Sequence, residues 1–553
     1  MNKSRLFSIF VALMAFSGYS VEAECLDLRS TWDYVIVGNG TAGATLASEL
    51  AKDGNNSVLV LEWGENRADD PKVLSPDYFA FTNDLAYDPL YAITQPVNVS
   101  FSPFVPQYFI YSDGRMWGGS SAHNGLFAVR GTPTLYNNWA TLSGESQWNY
   151  ANLLPLFLET ELYTPNGTVS NPTQRGSDGP LFITQSAPVD TDAFAIAVGT
   201  GTSAPQVDDY NDPDEGDIGI SAHQQYISPA PGSFRSFSVN AFTPIGQVLN
   251  AQGFGLGTYK QLRVVSNALV NRVLFKNKEA AGVEYYLGGD PNKAIYVKAK
   301  KKVILCAGSP WSPGILERSG IGDATLLSSL GIEVIVDNPN VGEHLQNHYG
   351  VTGFFTGTTT VFPFLQGFID LQPYEPGDGT RRMQLAGIDT GAGIALSGIL
   401  MQPKSEGSVH IVSRNPTIYP RMDFNMYTDG DVSTPGTDAY DVVSYLKLLQ
   451  DIDTAFAGGS LASPPASVYA GGDSALLEFA QTQSNMAIAF HAAGTCRMGT
   501  SQSDSVVNGD LHVFGVRNLM VADVSIEPII QDGNTAYAAY FIGQVAANII
   551  KGN

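Results

Sequence analysis

Three glycines in Gly38-Asn39-Gly40-Thr41-Ala42-Gly43 carry the clearest chemical signal in this chain. Their G-x-G-x-x-G spacing suits a loop that wraps the pyrophosphate of a dinucleotide. Gly38 would permit a tight turn, Gly40 would let the backbone approach the phosphates, and Gly43 would let a helix pack closely on a strand. The N–H groups of the first helical turn, at Thr41 and Ala42, would then face the negative charge. Glu62, roughly twenty residues on, is the acid expected to accept hydrogen bonds from ribose hydroxyls. Glycine supplies 57 of the 553 residues, so the spacing recurs by chance and its surroundings must carry the reading. The loop alone suits NAD and FAD equally.

Other reactive side chains are sparse. His491 stands beside Ile488 and Phe490 and could serve as a base, because an imidazole titrates near neutrality. On its surroundings alone a satisfied core histidine is the commoner reading. Asn534, after Gly533, can donate through its amide but cannot act as a base; it equally suits a turn. His223, His344, His348, His410 and His512 read as structural or surface groups. The three cysteines, Cys25, Cys306 and Cys496, form no disulfide framework. There is no C-x-x-C or H-E-x-x-H for a metal, and no G-x-S-x-G for a serine hydrolase.

The elements around the glycine loop are those it needs. Tyr34-Val35-Ile36-Val37 reads as a strand, 41–51 as a helix, and Val58-Leu59-Val60-Leu61 as a second strand ending on Glu62. Lys302-Val303-Ile304-Leu305 looks like a comparable strand running into a turn at Gly308. Segments 160–235 and 351–480 hold turn clusters, such as 211–214 and 373–379, and period-2 runs such as Ser408-Val409-His410-Ile411-Val412. They are expected to form a second, strand-rich domain interleaved with the first.

Composition narrows the class. Hydrophobic residues make up 44% and charged residues 15%, which suits a folded protein with a large core. The net charge of −23 disfavours nucleic acid and anionic membranes. Residues 1–23 resemble a signal peptide: Lys3 and Arg5, an apolar run from Leu6 to Phe16, and a small-x-small site at Val21-Glu22-Ala23. A soluble, secreted protein is expected. Asn55, Asn98 and Asn166 begin glycosylation tripeptides, whereas Asn39 should be buried.

Two longer segments bear on the cofactor. Gly114 to Asn124 (GRMWGGSSAHN) and Gly308 to Gly322 (GSPWSPGILERSGIG) resemble the two signatures of the glucose–methanol–choline oxidoreductase family. Asn340 to His348 and the run from Phe490 to Ile550 extend the resemblance to nearly the whole chain past the leader. The resemblance implies FAD and an α/β fold. A Rossmann-like FAD-binding domain would be built from the discontinuous segments 33–159, 236–350 and 481–553. An antiparallel-sheet substrate domain, from 160–235 and 351–480, would roof the flavin.

The resemblance also implies roles. Arg115, Gly119, His123 and Asn124 would run beside the flavin, Val270 would meet the adenine through its backbone, and Asp523 and Thr535 would lie near the cofactor. His123 stands where relatives resembling choline oxidase carry a histidine covalently bonded to FAD. His491 would be the base that takes the hydroxyl proton of an alcohol, and Asn534 a donor to the substrate oxygen, as a hydride passes to flavin N5. Oxygen or a diffusible quinone-type acceptor would then take the electrons. The same family includes hydroxynitrile lyases and ring-closing enzymes, so a non-redox lyase or cyclase is the alternative reading. Phe354, Phe355, Phe362 and Phe364 could line an entrance, although core strand positions are favoured.

Overall fold

The computed structural model describes residues 30–77, 88–99, 108–167, 169, 171–187, 189–357, 364–371 and 381–552. The predicted leader, Cys25, Phe362 and the turn cluster at 373–379 lie outside the described residues.

Strand β1 (Thr31–Val37), helix α1 (Thr41–Ala51) and strand β2 (Val58–Leu61) form the first unit. All four β2 residues are buried, as are Val35 and Ile36, because a parallel strand is covered on both faces. Burying each such side chain contributes about 1.5–3 kcal/mol. The sheet continues through β3 (Leu262–Val265), β4 (Ala268–Lys276), β5 (Glu279–Leu287) and β6 (Ala294–Leu305), in the order β4-β5-β6-β1-β2-β3. Pairing is parallel from β6 through β3 and antiparallel on the β4-β5-β6 side. Leu519–Val521 adds a short parallel strand against β6. The predicted strands at 34–37, 58–61 and 302–305 thus lie side by side in one sheet.

A second sheet is antiparallel throughout. Its core strands are β7 (Tyr349–Phe355), β8 (Phe364–Ile369), β9 (Met383–Asp389) and β10 (Ile394–Leu400). They run in the order β7-β10-β9-β8, with Gly219–Ala222 beyond β8 and both Leu461–Ser463 and Met486–Ile488 on β7. Strand alternation divides its residues. Val351, Leu385 and Leu396 pack into one core with Val442, Leu446 and Leu449 of helix α2 (Asp438–Ala455). Thr352, Gln384, Ala386 and Ser397 face the other way, into a cavity between the two sheets. Helix α3 (Ala536–Lys551) returns the chain to the first unit and packs on α1. Gly543 allows that approach, since a Cβ there would stand 2.5 Å from the Ala42 carbonyl oxygen.

The segment 160–235 does not side with one core. Glu161–Thr164, Leu181–Gln185 and Gln224–Gln225 form a small sheet whose Leu181 and Ile183 join the first core. Phe194, Val198 and Ile220 join the second. Within the first predicted domain, Tyr108–Gly114 similarly contributes Tyr111 to the second core. Phe355 is a core residue, as favoured; Phe354 is half-exposed and does not border the cavity. No helix among the described residues is long and apolar enough to cross a membrane.

Candidate active site

One cavity of about 600 Å³ lies between the sheets. It is bordered by Gly38, Gly40, Thr41, Ala42, Glu62, Arg115, Gly119, His123, Asn124, Val270, His491, Asp523, Asn534 and Thr535. Residues named across the length of the sequence therefore meet at a single place. Gly43 stands behind the loop instead, where a Cβ would come within 2.1 Å of the Gly38 carbonyl oxygen. Any side chain at position 43 must displace the turn.

The loop end of the cavity is shaped for a polar, phosphate-bearing group. Gly38 adopts φ +100°, a conformation that disfavours other residues, and turns β1 into α1. Gly40 precedes α1 without a side-chain cap, so the first-turn N–H groups have no capping side chain in their way. Gly119, at φ +51°, presses on Gly40, with room for no Cβ. Glu62 accepts from the N–H of Asn39 at 2.8 Å and of Gly64 at 2.7 Å. Burial raises its carboxyl to about 7 despite these bonds. Asp523 accepts from the N–H of Gly308 at 2.9 Å and the hydroxyl of Ser312 at 2.6 Å. The Ser309 hydroxyl is buried on this wall with no partner among the described residues. These groups fit the dinucleotide half of FAD.

Along the middle, Arg115 donates to the Pro89 carbonyl at 2.7 Å and lies over the Trp63 ring. Asn124 accepts from the Arg235 guanidinium at 2.9 Å, which fixes the turn after His123. His123 is buried, and burial lowers its pKa to about 4, with the Arg235 charge adding to the effect. Its imidazole is therefore neutral at neutral pH.

At the far end, His491 and Asn534 meet, with Asn534 Nδ2 at 3.4 Å from His491 Nε2. Asn534 Oδ1 accepts from Gln384 Nε2 at 2.9 Å, which turns the amide so that its donors face His491 and the cavity. The loop before Asn534 is held by buried Asp532, which accepts from the N–H and hydroxyl of Thr132. The backbone N–H of His491 donates to Asn347 Oδ1 at 2.8 Å. Burial lowers the His491 pKa to about 4, so this ring is neutral well below the pH at which a free imidazole titrates.

His348, expected as a structural or surface group, lies against His491. Its Nδ1 lies 2.8 Å from His491 Nδ1, and the rings cross at 87°. One of the two nitrogens must carry the proton. His348 is fully buried, and the Asn534 amide, oriented by Gln384, presents its donor to His491 Nε2. With Nε2 thus an acceptor, neutral His491 carries its proton on Nδ1 and donates it to His348 Nδ1. The Nε2 lone pair of His491 then faces Asn534 and the cavity. Neither His348 nor Gln384 stood out in the sequence, though His348 closes the Asn340–His348 match. The four remaining histidines expected as structural or surface groups lie away from this pair: His410 bonds Glu317 and Glu343, His344 bonds Glu406, His512 bonds Lys302, and His223 packs on Phe127.

Comparison with known proteins agrees with this geometry. Two family models described as GMC oxidoreductase match residues 32–235 with 257–350, and residues 403–543. An oxygen-dependent choline dehydrogenase from Pseudomonas fluorescens (strain SBW25) is 30% identical over 575 residues, covering 95% of this chain and 94% of that protein. Pyridoxine 4-oxidase from Mesorbium loti superposes with a TM-score of 0.78 at 24% identity, over 94% of this chain and 99% of its own. Formate oxidase from Aspergillus oryzae RIB40 gives 0.79 at 21% identity, over 95% and 98%. The two structures share the fold, and the family models account for most of the sequence. With a glycine-turn cradle at one end of its cavity and a histidine–asparagine pair at the other, the chain belongs to the GMC oxidoreductase family of FAD-dependent oxidoreductases acting on CH–OH groups.

Proposed function

We propose that this protein oxidises an alcohol to the corresponding carbonyl compound, with His491 as the base and Asn534 as the donor to the alcohol oxygen. The observation that carries the reading is the His348–His491–Asn534–Gln384 chain of contacts at the end of the cavity opposite the dinucleotide cradle. FAD, when bound, would accept the hydrogen and its electron pair from the alcohol carbon. His491 Nε2 takes the hydroxyl proton, because a neutral alcohol gives up that hydrogen poorly. The pKa of about 4 belongs to an imidazolium that lacks a counter-charge. An alkoxide formed beside it supplies one and raises the basicity of the ring. Asn534 Nδ2 donates to the same oxygen as charge develops.

Electrons leave to oxygen or another diffusible acceptor; the Pseudomonas relative is named as oxygen-dependent, which supports oxygen. The leader-like start supports export from the cell, and Asn55 and Asn166 are exposed, as attached glycans require. Asn39 is buried, as expected of a residue in the glycine loop.

Two substitutions test the roles. Asn534→Asp should slow anaerobic flavin reduction more than Asn534→Ala, since an anion beside a developing alkoxide opposes it. An aspartate variant faster than the parent would assign base chemistry to position 534. His348→Gln should slow the same step by about 10–100-fold, the worth of a partner that holds a reactive imidazole in one tautomer. Substrate affinity should change little, because His348 lies behind His491. An unchanged rate would remove His348 from the proton path.

A further inference from the structure

We infer that the alcohol this site takes is neutral and carries a flat aromatic or branched apolar body, and that quaternary-ammonium alcohols are poor substrates. The inference rests on the alcohol chemistry proposed above and concerns the walls around His491. Phe490, next to the base, packs against Phe109 at 5.8 Å and edge-on against Tyr111 at 5.6 Å between ring centres. The Tyr111 hydroxyl accepts from the Ala492 N–H, so this aromatic wall is tied to the backbone that carries His491. Because the rings pack against one another, they offer an apolar surface more than a cage of open ring faces for a cation.

The second sheet supplies the floor. Ala386 and Ser397 are directly paired on β9 and β10, and both are small, which leaves room above them. Ile399, two residues from Ser397 on the same face, and Phe127 extend this apolar surface. The Ser397 hydroxyl is engaged with Thr352 at 2.8 Å.

Among the described residues, no ionised partner for a bound cation stands beside Phe490. Among the described residues, the carboxylates that border the cavity are Glu62, Asp113 and Asp523. Glu62 and Asp523 belong to the dinucleotide cradle. Asp113 shares a strand with Phe109 and Tyr111 but sits at its far end, accepting from Trp311 Nε1 at 3.2 Å. A quaternary ammonium placed beside Phe490 would lose its hydration without an anion in exchange, whereas an aromatic or tert-butyl body loses nothing by burial there.

The test is anaerobic stopped-flow reduction of the holoenzyme by three alcohols: benzyl alcohol, choline, and the neutral tert-butyl analogue in which carbon replaces the choline nitrogen. The shift of the oxidised-flavin spectrum on binding ranks the same three alcohols whether or not reduction follows. The analogue should exceed choline by about 10-fold or more in both affinity and reduction efficiency, with benzyl alcohol at least its equal. Choline equal to or better than its analogue would overturn the inference while leaving alcohol oxidation intact. Absence of reduction by all three, with the neutral alcohols still binding more tightly, would overturn the proposed chemistry and leave this ranking standing. Ala386→Phe, which fills the floor, should weaken benzyl alcohol binding by about 10-fold or more with FAD retained. Unchanged binding would show that the body of the substrate lies elsewhere.

Discussion

Replacing His491 with alanine should slow anaerobic flavin reduction by an alcohol by about 10²–10⁴-fold, the usual worth of a positioned base. FAD should stay bound, because the residues that shape the dinucleotide cradle, Gly38, Glu62 and Asp523, lie at the other end of the cavity. The His491 side chain contacts His348 and Asn534, and neither contact supports a sheet. The pH profile gives a second reading. A base must be neutral to act, and burial lowers the His491 pKa to about 4. The reduction rate should therefore be flat through neutrality and fall only as pH drops toward that value. A profile that falls instead through the ordinary histidine range would place the proton acceptor elsewhere. Unchanged reduction in His491→Ala would remove the residue from the mechanism.

The other large effect concerns His123. We expect FAD to remain attached when the protein is denatured in acid, through a bond between a His123 ring nitrogen and the 8α-methyl carbon of the flavin. His123 borders the cavity, directly after the 3-10 turn Gly119–Ala122, and its imidazole is held neutral by burial. A neutral imidazole nitrogen is a competent nucleophile. In forming the bond, the nitrogen and the methyl carbon each shed a hydrogen; the two protons and two electrons so released pass to oxygen as hydrogen peroxide. The peptide that contains His123 should carry the mass of FAD or of its hydrolysis product. His123→Ala should release all its flavin on denaturation and turn over more slowly, while still binding FAD through the loop and Glu62. Complete release from fully occupied parent protein would rule the bond out.

The parts of this molecule that were legible in the sequence share a physical cause. The end of β1 and the whole of β2 are covered strand, so Tyr34–Val37 and Val58–Leu61 form unbroken apolar runs, and a glycine turn that no other residue fits follows the first. The long signature segments are legible for the same reason: Gly118 and Gly119 need positive φ, and Gly119 lies against Gly40 with room for no Cβ. What escaped was decided by tertiary contact. Residues 160–235 alternate like other strand-rich segments, and only packing shows that Ile183 joins one core and Ile220 the other. His348 stands 143 residues from His491, and nothing in its neighbours signals that the two rings will meet. Gln384 reads as an ordinary strand residue until its amide is seen to orient Asn534. The depressed pKa of His491 likewise follows from enclosure, which a sequence does not display.

The most direct test of the whole account is the flavin spectrum of the purified holoenzyme, mixed anaerobically with a neutral aromatic alcohol. The oxidised-flavin band should bleach completely, with one aldehyde formed per flavin, and return when oxygen is admitted. A flavin that stays oxidised while the protein cleaves or cyclises its substrate without net redox change would contradict it.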